Sequence, residues 1–228
     1  MENNTILVIA AHPDDEVLGC GGTIARYARE GCRCHILFMA EGATARKGDP
    51  DAAQKNVLAL RKSAQKAAQS LGAVDVEFCR FPDNRMDGVD LLDVVRKVEE
   101  SLERIKPAIV FSHHHGDLNI DHRMTAQAVE TATRPLPGCS VKELYAFEVL
   151  SSTEWAFSRA ADYFAPDCFT DIGKTIDIKL KALAAYTSEK RCFPHPRSRE
   201  AVTSLARFRG AQSGLEAAEA FRLVRRIM

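Results

Sequence analysis

Residues 6–22 read ILVIAAHPDDEVLGCGG, and the rest of the chain can be organised around them. Ile6 to Ala10 is a short apolar run, the form of a strand covered on both faces. A polar turn follows at His12 to Asp15, and Glu16 to Glu30 then reads as a helix that stops at Gly31. The same unit recurs. Cys34 to Ala40 is a second strand, and Glu41 to Asp49 is a loop leading to a helix over Asp51 to Leu71. Val74 to Cys79 is a third strand, followed by the turn-rich FPDNRMDG and a helix over Val89 to Ile105. Ala108 to Ser112 is a fourth strand, Asp121 to Thr133 a helix and Glu143 to Leu150 a fifth strand. Strands that alternate with helices imply right-handed βαβ units, hence an α/β, doubly wound, mostly parallel sheet with helices on both faces. The last third is less regular. Tyr163 to Phe169 has strand character, whereas Thr175 to Tyr186, Arg199 to Arg209 and Leu215 to Arg225 have helical patterns.

The 228 residues suit one domain, 1–228, with no repeat, linker or low-complexity stretch to divide it. Lys plus Arg and Asp plus Glu are both 31, so net charge offers no footprint for nucleic acid or an anionic membrane. No apolar run is long enough to span a bilayer, and the first residues lack the pattern of a secretory leader, so a cytoplasmic location is the expectation. Seven scattered cysteines form no disulfide framework or zinc clip, in keeping with a reducing compartment.

Two motifs carry chemistry: AHPDDEVLGCGG at 11–22 and SHHHGDLNIDHRM at 112–124. Each sits where a strand ends and a helix begins. In the strand order 3-2-1-4-5 the first and fourth strands are neighbours. Their connections leave in opposite directions and open a crevice at the carboxyl ends. The two loops would then face each other, offering His12, Asp14, Asp15, His113, His114, His115, Asp117, Asp121 and His122. Imidazole and carboxylate suit zinc, which at catalytic sites keeps three protein ligands and one open position. Bound zinc lowers the pKa of water from ~16 to about 7, and a nearby carboxylate can take the proton during attack. Successive residues in a turn point in different directions, so Asp14 and Asp15 can divide base and ligand between them. The bland readings are that Asp15 caps a helix and that His115 is solvated. Gly19, Gly21 and Gly22 lack dinucleotide-loop spacing and read as close helix-to-sheet packing.

AHPDDEVLGCGGTIA closely resembles the opening signature of the PIG-L or LmbE-like deacetylases. The likeness continues through EGATAR, FPDNRMD, HHHGDLNIDHR and HPRSREAVTSLARFRGAQSGLEAAEAF, nearly the whole chain. This resemblance implies a Rossmann-like fold, a single divalent metal (usually zinc) and removal of the N-acetyl group from an N-acetylglucosamine-type sugar or conjugate. It implies His12, Asp15 and His122 as ligands, Asp14 as the base that activates metal-bound water, and Asp121 as an orienting carboxylate. Arg61 is the implied substrate contact, and a homo-oligomer is compatible with all of this. One departure stands out. Asn119 occupies the place of a histidine that in relatives serves the oxyanion or the leaving amine. Asn119 can donate a hydrogen bond to substrate but cannot act as an acid. His195, held between Pro194 and Pro196, is the expected acid, with His113 its rival. The alternative function is a zinc amidase acting on another acyl group or a thiol-sugar conjugate. A nucleotide-binding protein without hydrolysis and a metal-binding protein without catalysis fit less well. The first lacks the glycine fingerprint, and the second has no use for Asp14.

Overall fold

The computed structural model describes residues 4–44, 50–157 and 163–228. Seven strands form one sheet in the order β3-β2-β1-β4-β5-β7-β6. β1 (Thr5–Ala10), β2 (Arg33–Ala40), β3 (Asp75–Phe81), β4 (Ile109–His113) and β5 (Glu143–Phe147) are mutually parallel. The expected order 3-2-1-4-5 is therefore realised, and β1 lies beside β4 with Ile6 opposite Ile109. The helices are α1 (Asp15–Arg29), α2 (Pro50–Leu71), α3 (Leu91–Ile105), α4 (Ile120–Ala132), α5 (Ile176–Ala185) and α6 (Arg199–Ser213). Residues 45–49 of the expected loop, including Arg46 of EGATAR, lie outside the described residues.

Alternation along β1 divides the core. Ile6, Val8 and Ala10 join one apolar cluster with residues of α1, α2 and α5, whereas Leu7 and Ile9 join a second with α3 and α4. Because both faces of β1 are covered, the strand has no polar position from Ile6 to Ala10, and polar groups emerge at its carboxyl edge. The glycines allow α1 to lie close to its neighbours. A Cβ on Gly19 would stand 2.4 Å from the Phe147 ring of β5, and one on Gly22 would stand 2.7 Å from Ile172. α1 is kinked at Cys20 (φ −146°, ψ 23°), between these two contacts.

One expected helix is a strand. β7 (Ala218–Arg226) runs antiparallel between β5 and β6 (Cys168–Asp171), where Leu215 to Arg225 reads as helical. Ala and Glu favour helix locally, but β5 would otherwise be an uncovered edge, and tertiary pairing overrides propensity. Gly214 at φ 73° ends α6 and turns the chain back. Phe221 of β7 then packs on Phe111 at 5.0 Å between ring centroids. The expected fifth strand also ends early, at Phe147, so residues 148–157 are free to form a loop over the carboxyl edge. Among the described residues no helix is long and apolar enough to cross a membrane.

Candidate metal centre and catalytic site

The β1–α1 and β4–α4 turns meet above the carboxyl ends of their strands. His12, Asp15 and His122 bring one ligand atom each to within 4.8 Å of one another. Asp15 is the hub. Its Oδ2 lies 3.4 Å from His12 Nδ1 and 3.2 Å from His122 Nε2, and it also accepts the His12 backbone N–H at 2.9 Å. Each histidine is gripped from behind by a second carboxylate. Asp121 Oδ2 accepts from His12 Nε2 at 2.9 Å, and Asp117 Oδ1 lies 3.1 Å from His122 Nδ1. Holding the outer nitrogen of each ring this way turns the inner nitrogen toward Asp15, the arrangement that orients metal-binding histidines.

Asp121 is fixed in turn by the backbone N–H groups of Asn84 (2.6 Å) and Met86 (3.0 Å) in the β3–α3 loop. Asp117 accepts from Thr153 Oγ1 at 2.5 Å and from Ser152 Oγ, both in the loop after β5. Burial would raise the Asp117 carboxyl, but His122 first and then these two hydroxyls hold it at about 2. Burial would raise Asp15 too, yet the positive charge of His122 and the contact with His12 hold it well below the usual carboxylate range. Burial would likewise lower His122, and Asp15 and Asp117 push it up to about 9 instead. A pocket that draws positive charge onto its imidazoles has an excess of negative field, which a divalent cation satisfies equally well. Two buried atoms of the set, Asp15 Oδ1 and His122 Nε2, have no hydrogen-bond partner among the described residues. Buried polar atoms are seldom left so, and both belong to the metal-ligand triplet, so the residues fit a metal. His12, Asp83 and Asp121 form another possible set, but it uses the ring nitrogen already engaged with Asp121.

Asp14 stands apart from that triplet. It precedes α1 without capping it through its side chain, and Asp15, the residue read as a possible cap, is the first residue of the helix instead. Its Oδ2 instead accepts from Arg197 Nη1 at 2.9 Å. Burial raises its carboxyl to about 7, although Arg197 pulls the other way. Asp14, Asp15, Asp83, Asn119, Glu189 and Arg197 line a cavity of about 210 Å³ that also borders His12. Asn119 caps α4 through its Oδ1, which accepts from the Asp121 N–H at 2.8 Å, and its Nδ2 donates to Asn84 Oδ1 at 3.1 Å.

The remaining expected residues lie farther out. His113 is buried behind the centre, stacked on His122 with centroids 3.9 Å apart. Its Nε2 accepts the Ala11 N–H at 2.8 Å, and burial, with His122, holds its pKa well below the ordinary value. That nitrogen carries no proton to give. His195 does not line the cavity. Its Nδ1 accepts the Arg197 N–H at 3.1 Å and its ring meets Trp155 edge-on at 6.5 Å. Arg61 lies over the Phe78 ring at 5.2 Å, outside the cavity lining, although its neighbour Leu60 is part of that lining. His115 is exposed. Sequence reasoning passed over Arg197 and Glu189, which return from the far end of the chain. It also gave no role to Asp117. The one signal for Arg197 was its place in the His195–Ser198 segment.

Comparisons with known proteins agree with this geometry. A family model described as PIG-L: GlcNAc-PI de-N-acetylase matches residues 7–133. A probable N-acetyl-alpha-D-glucosaminyl L-malate deacetylase 2 of Bacillus cereus is 27% identical over 194 residues, covering 81% of this chain and 83% of the relative. The 4-oxalmesaconate hydratase of Pseudomonas putida is 29% identical over 225 residues, covering 91% and 80%. The structure of N,N'-diacetylchitobiose deacetylase from Pyrococcus horikoshii superimposes with a TM-score of 0.79 at 20% identity. It covers 97% of this chain and 84% of that one, a likeness of fold. The family match spans both loops that build the centre and more than half of the chain, so the protein belongs to the PIG-L family of GlcNAc-PI de-N-acetylases.

Proposed function

We propose that the protein hydrolyses the N-acetyl group of an N-acetylglucosamine-type sugar or its conjugate, with His12, Asp15 and His122 holding a zinc ion. The observation that carries this reading is Asp14. It borders the same cavity as His12 and Asp15, is not one of the ligands, and turns its carboxylate toward Arg197 and the cavity. When bound, zinc supplies Lewis acidity toward water and an amide carbonyl. The chain's own residues do the rest. Asp14 takes the proton of the attacking water at its carboxylate, and Arg197 holds that carboxylate in place. The leaving amine needs a proton as the carbon–nitrogen bond breaks. Asp14 can return the one it took, since His113 Nε2 is occupied by a backbone N–H and His195 lies outside the cavity lining. Asp121 and Asp117 keep His12 and His122 oriented.

The cavity suits a hydroxyl-bearing substrate. Among the described residues, the carboxylates of Asp14, Asp15, Asp83 and Glu189 and the guanidinium of Arg197 line the cavity. The carboxylates that hold no metal can accept hydrogen bonds from sugar hydroxyls. At about 210 Å³ the space is smaller than a drug-sized pocket and suits one sugar ring, with any conjugated group outside. The Bacillus cereus relative supports the deacetylase reading. The Pseudomonas putida relative favours a second one, hydration of a carboxylate substrate, because both reactions start with activated water.

The test pairs substrate with role. Acetate should be released from N-acetylglucosamine conjugates, and 4-oxalmesaconate should not be hydrated. Asp14→Ala should keep near-stoichiometric zinc and lose hydrolysis by ~10²-fold or more, the usual worth of a general base, whereas His122→Ala should lose the metal itself. Hydration without acetate release would overturn the substrate class, and equal zinc loss in both variants would overturn the division of roles.

A further inference from the structure

Glu16 completes the run Asp14-Asp15-Glu16 and is wholly buried, yet it neither belongs to the ligand triplet nor lines the cavity. A carboxylate in such a place costs several kcal/mol of lost hydration, of the order found for buried ions, unless hydrogen bonds replace the water. Glu16 has two that matter. Its Oε2 accepts the Asp14 N–H at 3.0 Å, and its Oε1 accepts the Tyr186 hydroxyl at 2.6 Å. Tyr186 is itself fully buried at the end of α5, so it cannot follow Glu16 if Glu16 moves.

The residue held by this clamp has an unusual backbone. Asp14 adopts φ 106° and ψ −24°, a left-handed conformation that residues with a Cβ avoid at a cost of about 1–2 kcal/mol. The turn has a geometric consequence. Asp15 points back to His12 and His122, while Asp14 points outward to Arg197 and the cavity. The left-handed turn at Asp14 is the backbone geometry in which the two carboxylates diverge here. Arg197 engages only the tip of the side chain, whereas Glu16 engages the peptide whose rotation defines the turn.

We propose that Glu16 is the positioning residue of the Asp14 turn and that Tyr186 fixes Glu16 from behind, so that the Asp14 carboxylate stays aimed into the cavity. The proposal rests on Asp14 as the base. It assigns Glu16 no contact with substrate or metal: it acts through the Asp14 backbone. The side-chain oxygen that receives the N–H matters, and the negative charge does not.

The experiment compares Glu16→Gln, Glu16→Leu and Tyr186→Phe in the metal-loaded protein, with Asp14→Ala alongside. Glutamine retains an oxygen for the Asp14 N–H and an amide that donates to the Tyr186 oxygen, so Glu16→Gln should keep kcat within about threefold. Leucine fills the space without an acceptor. Glu16→Leu should lower kcat by about 10- to 100-fold, the scale of an ångström-sized misplacement, with KM and bound zinc unchanged. Tyr186→Phe, which removes one hydroxyl and opens no cavity, should give a smaller loss with the same split, and it carries the test if Glu16→Leu does not fold. A folded, zinc-loaded Glu16→Leu or Tyr186→Phe with full kcat overturns the proposal, as does a Glu16→Gln as impaired as Glu16→Leu. If Asp14→Ala keeps its rate, the base reading itself fails. If Asp14→Ala is inactive while Glu16→Leu is fully active, only the positioning role falls.

Discussion

Asp14 shows a conflict between stability and placement at a single residue. Its left-handed backbone is strained for any side chain with a Cβ, whereas glycine adopts it freely. Asp14→Gly and Asp14→Ala remove the same carboxylate, so their difference isolates the backbone. The glycine variant should be the more stable by ~1 kcal/mol or more, because the left-handed backbone and the helix-cap position both favour glycine over alanine, and both should be inactive. Thermal melting of the two variants checks this, and an alanine variant that melts at or above the glycine one would remove the strain. The pair Asp14 and Asp15 was legible in the sequence because adjacent carboxylates at a strand-to-helix turn are chemically conspicuous. Arg197 and Glu189 were not, because lone charged residues far along the chain resemble any solvated surface. His195 drew attention as a histidine between two prolines, but the same loop sends Arg197 to Asp14 and leaves His195 against Trp155.

At the scale of elements, α1 carries the ligand turn and must sit at one height on the sheet. Its Gly19 lets the helix approach Phe147 of β5 so closely that an added Cβ would stand 2.4 Å from the ring. Phe147 is fully buried and cannot swing clear. Gly19→Ala therefore gains about 1 kcal/mol of helix propensity and loses more to overpacking, typically 1–3 kcal/mol, leaving the variant less stable. Chemical denaturation of Gly19→Ala, and of Gly19→Ala with Phe147→Leu, measures this. The second change makes room and should restore part of the loss. A Gly19→Ala protein more stable than the parent would refute the packing argument. The parallel units from β1 to β5 could be read from apolar runs and glycine stops, since each is a local pattern repeated. β7 could not. Ala218 to Phe221 is helix-prone by composition, and only the open edge of β5, a fact of tertiary structure, makes it a strand.

The whole molecule assembles the centre from segments distant in sequence. The proposed ligands come from the turns after β1 and β4, and the groups that hold them come from the β3–α3 loop and the loop after β5. Arg197 closes the cavity from the segment before α6. A cation bound by His12, Asp15 and His122 joins two adjacent strand ends, so metal binding and global stability are linked. A ligand that binds only the folded state stabilises it by about 2.7 kcal/mol at a hundred times its dissociation constant. For a chain of this length that corresponds to roughly 5–10 °C in melting temperature, at ~2–4 °C per kcal/mol. Protein stripped with a chelator should therefore melt lower, and zinc should restore the loss in a concentration-dependent way. Asp14→Ala should show the same rise, since it leaves the ligand set intact. His122→Ala should show none, because only two ligands remain. The discriminating measurement is calorimetry of these three proteins with and without zinc. A full zinc-dependent rise in His122→Ala would place the metal elsewhere, and the set of His12, Asp83 and Asp121 would become the site to test by Asp83→Ala.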